Sequence, residues 1–151
     1  MAALRNNDRR GYLRAQSCAE LAFSIPLLIV LFVAVIEAGR VCLIALSLSS
    51  AARAGVQYGA QNLTTVSDSA GMRNAATADA AGLAGFVAAA SHYCKCSDGS
   101  TSTCLSTDCA GSHRLTYVQV NTSATYTPCI SWPGMPLAMT LTGQAIMRVS
   151  Q

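Results

Sequence analysis

The stretch from Ala15 to Ala60, AQSCAELAFSIPLLIVLFVAVIEAGRVCLIALSLSSAARAGVQYGA, decides the fold of this chain of 151 residues. Between Glu20 and Glu37 every residue is apolar or small. As a helix rising ~1.5 Å per residue, this run covers about 24 Å, slightly less than the ~30 Å hydrocarbon core of a bilayer. Apolar residues resume after Arg40, over residues 41–48. The stretch therefore predicts one membrane-spanning helix, which its Ala-rich end at residues 47–60 continues beyond the membrane.

The charges indicate how this helix is oriented. Only 11% of the residues are charged and 52% are hydrophobic, which suits a membrane-anchored chain. Four arginines precede the apolar run and only Asp8 opposes them: Arg5, Arg9, Arg10 and Arg14. The positive-inside rule then places the N-terminus in the cytoplasm and everything after the span outside. No basic face with interleaved aromatic residues follows, so we expect no nucleic-acid partner.

A cleaved signal peptide is an alternative interpretation of the same stretch. It would share the basic start and the apolar run, and Ala52-Arg53-Ala54 matches an A-x-A cleavage pattern. Two features oppose this interpretation. Glu20 lies at the border of the apolar run, and helix formers continue through Leu48, well beyond a 7–15-residue apolar region.

Three positions in the predicted span carry polar or helix-perturbing groups. Glu20 is either an interfacial carboxylate that reaches the headgroups or a functional group that pairs with a cation, because an unpaired one costs about 2.5–3.5 kcal/mol at the bilayer centre. Pro26 removes one helical hydrogen bond and is either a tolerated kink or a point of partial unwinding. Glu37 and Arg40 are three residues apart and are expected to pair on one helix face at the outer membrane surface.

Several short motifs in this stretch resemble a known family. AELAF at residues 19–23, PLLIV at 26–30, IEAGR at 36–40 and AARAGVQY at 51–58 look like the TadE-like pseudopilins of bacterial tight-adherence (Flp-type) pilus systems. The resemblance covers roughly residues 11–60. The closing segment LTGQAIMR at 141–148 is similar to the family's C-terminal end.

This resemblance implies a processing and assembly mechanism. A prepilin peptidase would cut between Ala15 and Gln16, which makes Glu20 the fifth residue of the mature chain. That carboxylate would pair with the N-terminal ammonium of a neighbouring subunit during assembly, and Pro26 would let the helix loosen as it packs. Pilin leaders usually end in glycine, whereas this one ends in Ala15, so an uncleaved, permanently anchored protein is the alternative.

Beyond residue 60 the sequence predicts a small α+β domain. Asp68 or Ser69 is a plausible N-cap for an Ala-rich helix over residues 70–90. Residues 115–126 alternate between polar and apolar, and residues 92–96 and 137–149 also suit strands of an antiparallel meander. The predicted organisation is a cytoplasmic leader at 1–15, the span and its extension at 16–60, and a periplasmic domain at 61–151. Gly55 and Gly59, four apart, either form a smooth strip for contact with another helix or reflect composition alone.

The external cysteines predict disulfides. The candidates are Cys94, Cys96, Cys104, Cys109 and Cys129, whereas Cys18 and Cys42 lie on the membrane helix. A Ser/Gly/Thr-rich loop separates the first two from the rest, and an oxidising compartment preserves bridges there. A metal site that adds His92 or His113 to these cysteines is an alternative, but C-x-C is poor zinc spacing. Redox catalysis is less favoured, because no C-x-x-C pair is present.

The sequence and the resemblance together predict a membrane-anchored pseudopilin or minor pilin, and not an enzyme. We expect no cofactor, no metal and no small-molecule substrate. The expected partners are the inner-membrane bilayer, other pilin subunits, pilus assembly proteins and a prepilin peptidase. The alternatives are an uncleaved single-pass periplasmic adaptor and, more distantly, a thiol-based redox enzyme.

Overall fold

The computed structural model of the chain describes residues 2–105, 107–130, 134 and 136–149. The side chains of residues 2–17 and 19 lie outside what it describes. Helix α1 covers Ala2–Gly59, a 3-10 turn covers Thr65–Ser67, and helix α2 covers Ser69–Asp79. Four strands follow: β1 (Val87–Cys96), β2 (Thr101–Ser102), β3 (Arg114–Tyr126) and β4 (Met139–Arg148). The predicted α+β class, with a long apolar N-terminal helix, is confirmed.

The chain divides into two compact units, Met1–Arg40 and Val41–Gln151. The described residues of the first unit all belong to α1. The second contains the C-terminal part of α1 together with α2 and all four strands. The last turns of the long helix are therefore part of the domain and not merely a connection to it.

The four strands form one antiparallel sheet in the order β2-β1-β3-β4. Strand β3 is central, and it pairs with β1 from Val87↔Ser123 to Cys96↔Arg114 and with β4 from Tyr117↔Arg148 to Tyr126↔Met139. The predicted alternation in β3 is present: even-numbered residues from Thr116 to Tyr126 are buried, and odd-numbered ones are partly or fully exposed. One face of the sheet is thereby committed to the core.

The core lies between this face, the end of α1 and α2. Val118 and Val120 of β3 are fully buried against Val56 of α1 and Met72 of α2. Alanines dominate the helix surfaces that approach the sheet, because small side chains let helix and sheet backbones come close. The remaining members of this cluster are Ala60, Val66, Ala76 and Val149.

The second helix is shorter than predicted. It ends at Asp79, and residues 87–90, which were expected to close it, begin β1 instead. Gly82 and Gly85 both have left-handed φ values, of 96° and 66°, so the backbone turns sharply between the two elements. The Ala-rich segment Val87–Ala90 then pairs with Val120–Ser123 of β3, since tertiary pairing outweighs its weak strand propensity.

Two glycines near the C-terminus of α1, Gly55 and Gly59, face the domain's own interior. A Cβ atom added at Gly55 would lie 2.9 Å from the Met72 carbonyl oxygen, and one at Gly59 would collide with the Met72 side chain. Both positions also approach valines of β3 at 3.1–3.2 Å. The glycine spacing therefore serves contact with α2 and β3 of the same chain.

Candidate functional site: an exposed apolar helix and its attachment

The candidate site begins with the apolar part of α1, whose large apolar side chains are exposed. Phe23 is 85% exposed and Leu27 71% exposed. The segment Glu20–Gly59 is long and apolar enough to cross a membrane, with a mean hydropathy of 2.6 over its most apolar window and none of that window buried. Large apolar side chains on all sides of an isolated helix are costly in water. Lipid or other apolar helices are therefore the expected neighbours of these side chains.

Glu20 and Pro26 lie six residues apart near the start of this exposed segment. Glu20 is exposed, and its backbone carbonyl accepts a hydrogen bond of 2.9 Å from the Ser24 hydroxyl. Pro26 lies inside α1 without ending it, although it has no N–H to donate to the Ala22 carbonyl. The carboxylate and the weakened helical turn therefore belong to one short region.

Glu37 and Arg40 form an ion pair one helical turn apart. Arg40 Nη1 donates to Glu37 Oε2 at 3.2 Å, with 13% of the glutamate side chain and 39% of the arginine side chain exposed. An ion pair between residues i and i+3 of a helix contributes about 0.2–0.5 kcal/mol. Its position at the end of the most apolar run suits an interfacial pair.

The end of α1 is fastened to the sheet by buried contacts. Thr122 Oγ1 donates to the Leu48 carbonyl oxygen at 2.9 Å and lies 3.3 Å from the Gly143 carbonyl oxygen. A Cβ at Gly143 would lie 2.8 Å from the Leu48 carbonyl carbon. Leu48 and Thr122 are 0% and 2% exposed. The helix backbone thus approaches β3 and β4 closely enough for a direct hydrogen bond to a strand side chain.

A second attachment joins the end of α1 to the start of α2. Asp68 caps α2 by accepting from the Gly71 N–H at 2.8 Å, and it accepts from the Tyr58 hydroxyl at 2.8 Å. Both hydrogen bonds lower the pKa of the Asp68 carboxyl below its usual value, and the bond from the Gly71 N–H has the larger effect. Of the two predicted N-cap residues, Asp68 is the one that caps the helix.

Four cysteines beyond α1 form two disulfides that tie β1 to the loop after it. Cys94 is bonded to Cys104 and Cys96 to Cys109. Cys129 is exposed and takes part in neither bridge. The four bridged sulfurs have no thiolate for a metal or for redox attack while they stay oxidised. The expected disulfides are present, and their connectivity could not be read from the sequence.

The bridged loop is also ordered by one carboxylate. Asp108 Oδ2 accepts from the Thr103 hydroxyl at 2.7 Å, from the Thr103 N–H at 2.6 Å and from the Ser102 hydroxyl at 3.0 Å. The two bonds from Thr103 hold the pKa of this carboxyl below its usual value. No group of three or more potential metal ligands occurs among the residues that the structure describes.

The structure describes some of the predicted site residues with their side chains and others by their backbone alone. Glu20 and Pro26 share the exposed helix, and Glu37 and Arg40 form the expected kind of contact. The predicted processing site, Ala15 and Gln16, lies in the α1 backbone, with side chains outside those described. Sequence reasoning missed the Thr122–Leu48–Gly143 attachment, for which the one available signal was a glycine inside an otherwise regular strand.

These features define the class of the protein: a membrane-anchored α+β protein with one exposed apolar helix and a small disulfide-bonded domain. Residues 15–57 match the family model described as TadE-like protein, the family that the motifs of this stretch resemble. The matched residues all lie within α1. No curated protein and no solved structure matches the chain.

Proposed function

We propose that this protein is a pseudopilin or minor pilin that takes part in assembly of a tight-adherence pilus. It works by helix packing and protein–protein association, not by catalysis. The observation that carries the proposal is the exposed apolar run of α1, with Glu20 at its start, inside the segment that matches the TadE-like family. Such a helix lies in the bilayer before assembly. During assembly it exchanges its lipid contacts for contacts with other pilin helices.

We infer further that a prepilin peptidase cuts between Ala15 and Gln16. The cut removes the basic leader and creates a new N-terminal ammonium group at Gln16. Glu20 is then the fifth residue of the mature chain. A carboxylate that enters an apolar helix bundle needs a cation, because an unpaired buried charge is strongly destabilising. The new terminus of a neighbouring subunit supplies that cation.

The arginine-rich leader supports an orientation with the N-terminus in the cytoplasm and the disulfide-bonded domain in the periplasm. The two disulfides favour the same side, since bridges persist in oxidising compartments. The inner membrane and its pilus assembly proteins are then the surroundings of α1.

The test is N-terminal analysis of the protein from membranes of strains with and without the prepilin peptidase. We expect a mature chain that begins at Gln16 only where the peptidase is present. A Glu20→Gln variant should be processed but should reduce co-purification with other pilins. Glu37→Gln is the matched control, because it changes a carboxylate of the same helix whose partner is Arg40. A chain that keeps its leader in both strains contradicts the processing mechanism.

One observation favours a second function. The residue before the proposed cut is Ala15, where pilin leaders usually end in glycine. An uncleaved chain would remain in the membrane as a single-pass periplasmic adaptor that never enters a filament. In that case pilin co-purification would be insensitive to both the peptidase and Glu20→Gln.

A further inference from the structure

The side chains on the face of the sheet that points away from the core are partly or fully exposed. It consists of the odd-numbered residues of β1 and β3 and the even-numbered residues of β4, which the strand register places on one side. We call it the open face. Ala89, Asn121 and Gln144 lie side by side in one row across this face, and all three are exposed. No described helix packs against this row.

The open face is positively charged at one end. Lys95 and Arg148 are both exposed, and the face carries no aspartate or glutamate. Between them lies an aromatic pair: the rings of Tyr93 and Tyr117 stack with centroids 5.4 Å apart, and Lys95 Nζ lies 6.0 Å from the Tyr93 centroid. Arg148 is the register partner of Tyr117. The absence of carboxylates on this face favours an anionic ligand.

The middle of the open face carries three amides that hold one another in place. Gln144 Nε2 donates to Asn121 Oδ1 at 2.8 Å, and Gln119 Nε2 donates to the same oxygen at 3.3 Å. The Asn121 NH₂ group and the two glutamine carbonyl oxygens are not used in these bonds. The cluster therefore offers both donors and acceptors, already ordered, to a ligand that has both.

A shallow groove adjoins the amides. It has a volume of about 480 Å³ and combines apolar and hydroxyl-bearing walls. Val87 and Ala89 provide the apolar wall, and Ser123 and Thr142 provide the hydroxyl groups. Such a mixed lining suits a ring that has apolar C–H faces and a rim of hydroxyls.

We propose that the open face binds an extended anionic polysaccharide of the polyuronate class. Sugar hydroxyls bond to the amide cluster, the sugar C–H faces lie on the groove, and a carboxylate further along the chain meets Lys95 and Arg148. Gln144 and Arg148 are four residues apart, or about 14 Å along a strand, so the ligand is a chain and not a single sugar. This activity goes beyond the proposed role in assembly.

Two other ligand classes fit the open face less well. An extended peptide gains its affinity from backbone pairing at a sheet edge, whereas this face offers side chains. Single-stranded nucleic acid needs aromatic rings with uncovered faces on which its bases stack. Here the two tyrosines cover each other.

The test is calorimetric titration of the full-length protein in detergent micelles with polygalacturonate oligomers. We expect saturable binding that weakens with salt, and weaker binding of neutral dextran. The double variant Lys95→Gln/Arg148→Gln should bind at least about ten-fold more weakly, as expected for the loss of charge-assisted hydrogen bonds. The control Arg53→Gln/Arg73→Gln removes the same charge from exposed positions on the two helices and should bind as the wild type does.

A second variant tests the amides. Asn121→Ala should weaken polygalacturonate binding without changing the binding of polyglutamate, which offers carboxylates but no hydroxyls. Thr142→Trp fills the groove and replaces Asn121→Ala if that variant lowers the unfolding midpoint. The proposal is overturned if no binding occurs, if the control double variant loses binding equally, or if polyglutamate binds as well and with the same dependence on the variants.

Discussion

The hydroxyl of Thr122 in β3 donates a buried hydrogen bond of 2.9 Å to the backbone carbonyl of Leu48 in α1. The two residues are 74 positions apart, and the bond crosses from the middle of the sheet to the helix. The Leu48 carbonyl belongs to a helix backbone, so the strand side chain adds a bond to a group that normally bonds within its helix. This contact fixes how the end of the helix lies on the sheet.

Replacing Thr122 with valine should lower the free energy of unfolding by about 1–3 kcal/mol, since the shape is kept and one buried hydrogen bond is lost. Thr140→Val, on the exposed side of β4, is the control and should change stability by less than about 0.5 kcal/mol. Urea unfolding of the full chain in detergent measures both. Equal midpoints for the two variants would show that the hydrogen bond contributes nothing.

Alanine substitutions at two glycines of α1 should change the stability of the domain by different amounts. Gly55→Ala places a Cβ 2.9 Å from the Met72 carbonyl oxygen, and we expect a loss of about 1–3 kcal/mol from overpacking, despite a gain of ~1 kcal/mol in helix propensity. Gly39→Ala meets nothing within 4 Å among the described residues and should leave domain stability unchanged.

The two alanine variants are compared by thermal unfolding, because they carry the same substitution in the same helix. A Gly55→Ala protein as stable as the wild type would mean that the α1–α2 contact is looser than the structure indicates. Gly55 would then be free to face another subunit.

Asp68 should make the domain sensitive to acid. Because hydrogen bonds lower its pKa in the folded state, its contribution to stability is complete above the unfolded pKa of about 3.9 and is lost as the pH falls through the folded value. Asp68→Asn should therefore flatten the stability curve below about pH 4. Asp79→Asn, at the other end of α2, serves as the control, and unfolding is followed at several pH values. A curve for Asp68→Asn that keeps the wild-type slope would contradict this prediction.

Each of the two disulfides should stabilise the domain on its own. Each closes a short loop, with 10 residues of separation for Cys94–Cys104 and 13 for Cys96–Cys109. Loss of either pair as a double alanine variant should cost about 2–3 kcal/mol. Cys129→Ser should leave both bridges intact. Peptide mapping without reduction checks the connectivity, and a Cys94–Cys109 peptide would contradict the structure.

The sequence predicted those parts of the fold that depend on local pattern. The apolar run predicted α1, and strict alternation predicted β3 within one residue of its observed start. The second helix was predicted too long because Leu83, Phe86 and Val87 continue a helical spacing. The turn through Gly82 and Gly85 and the pairing of Val87 with Ser123 override that spacing.

The parts that sequence reasoning missed depend on contacts between distant residues. Nothing local distinguishes Thr122 from other threonines of β3, and its role appears only once Leu48 lies against it. Disulfide partners are likewise selected by the loop that follows β1, not by the spacing of Cys94 and Cys96. The glycines at 55 and 59 were visible in the sequence, but the surface that they contact was not.

The contacts of α1 with β3 follow one another in reverse order: Leu48 meets Thr122, Gly55 meets Val120, and Gly59 meets Val118. The end of the helix therefore runs antiparallel to the central strand. A force that pulls the chain along α1 would load these contacts in shear, so that many must fail together. Resistance to such a pull depends on the unfolding barrier. We therefore expect the domain to resist a pull along this end of the helix better than a pull that peels the helix from the sheet.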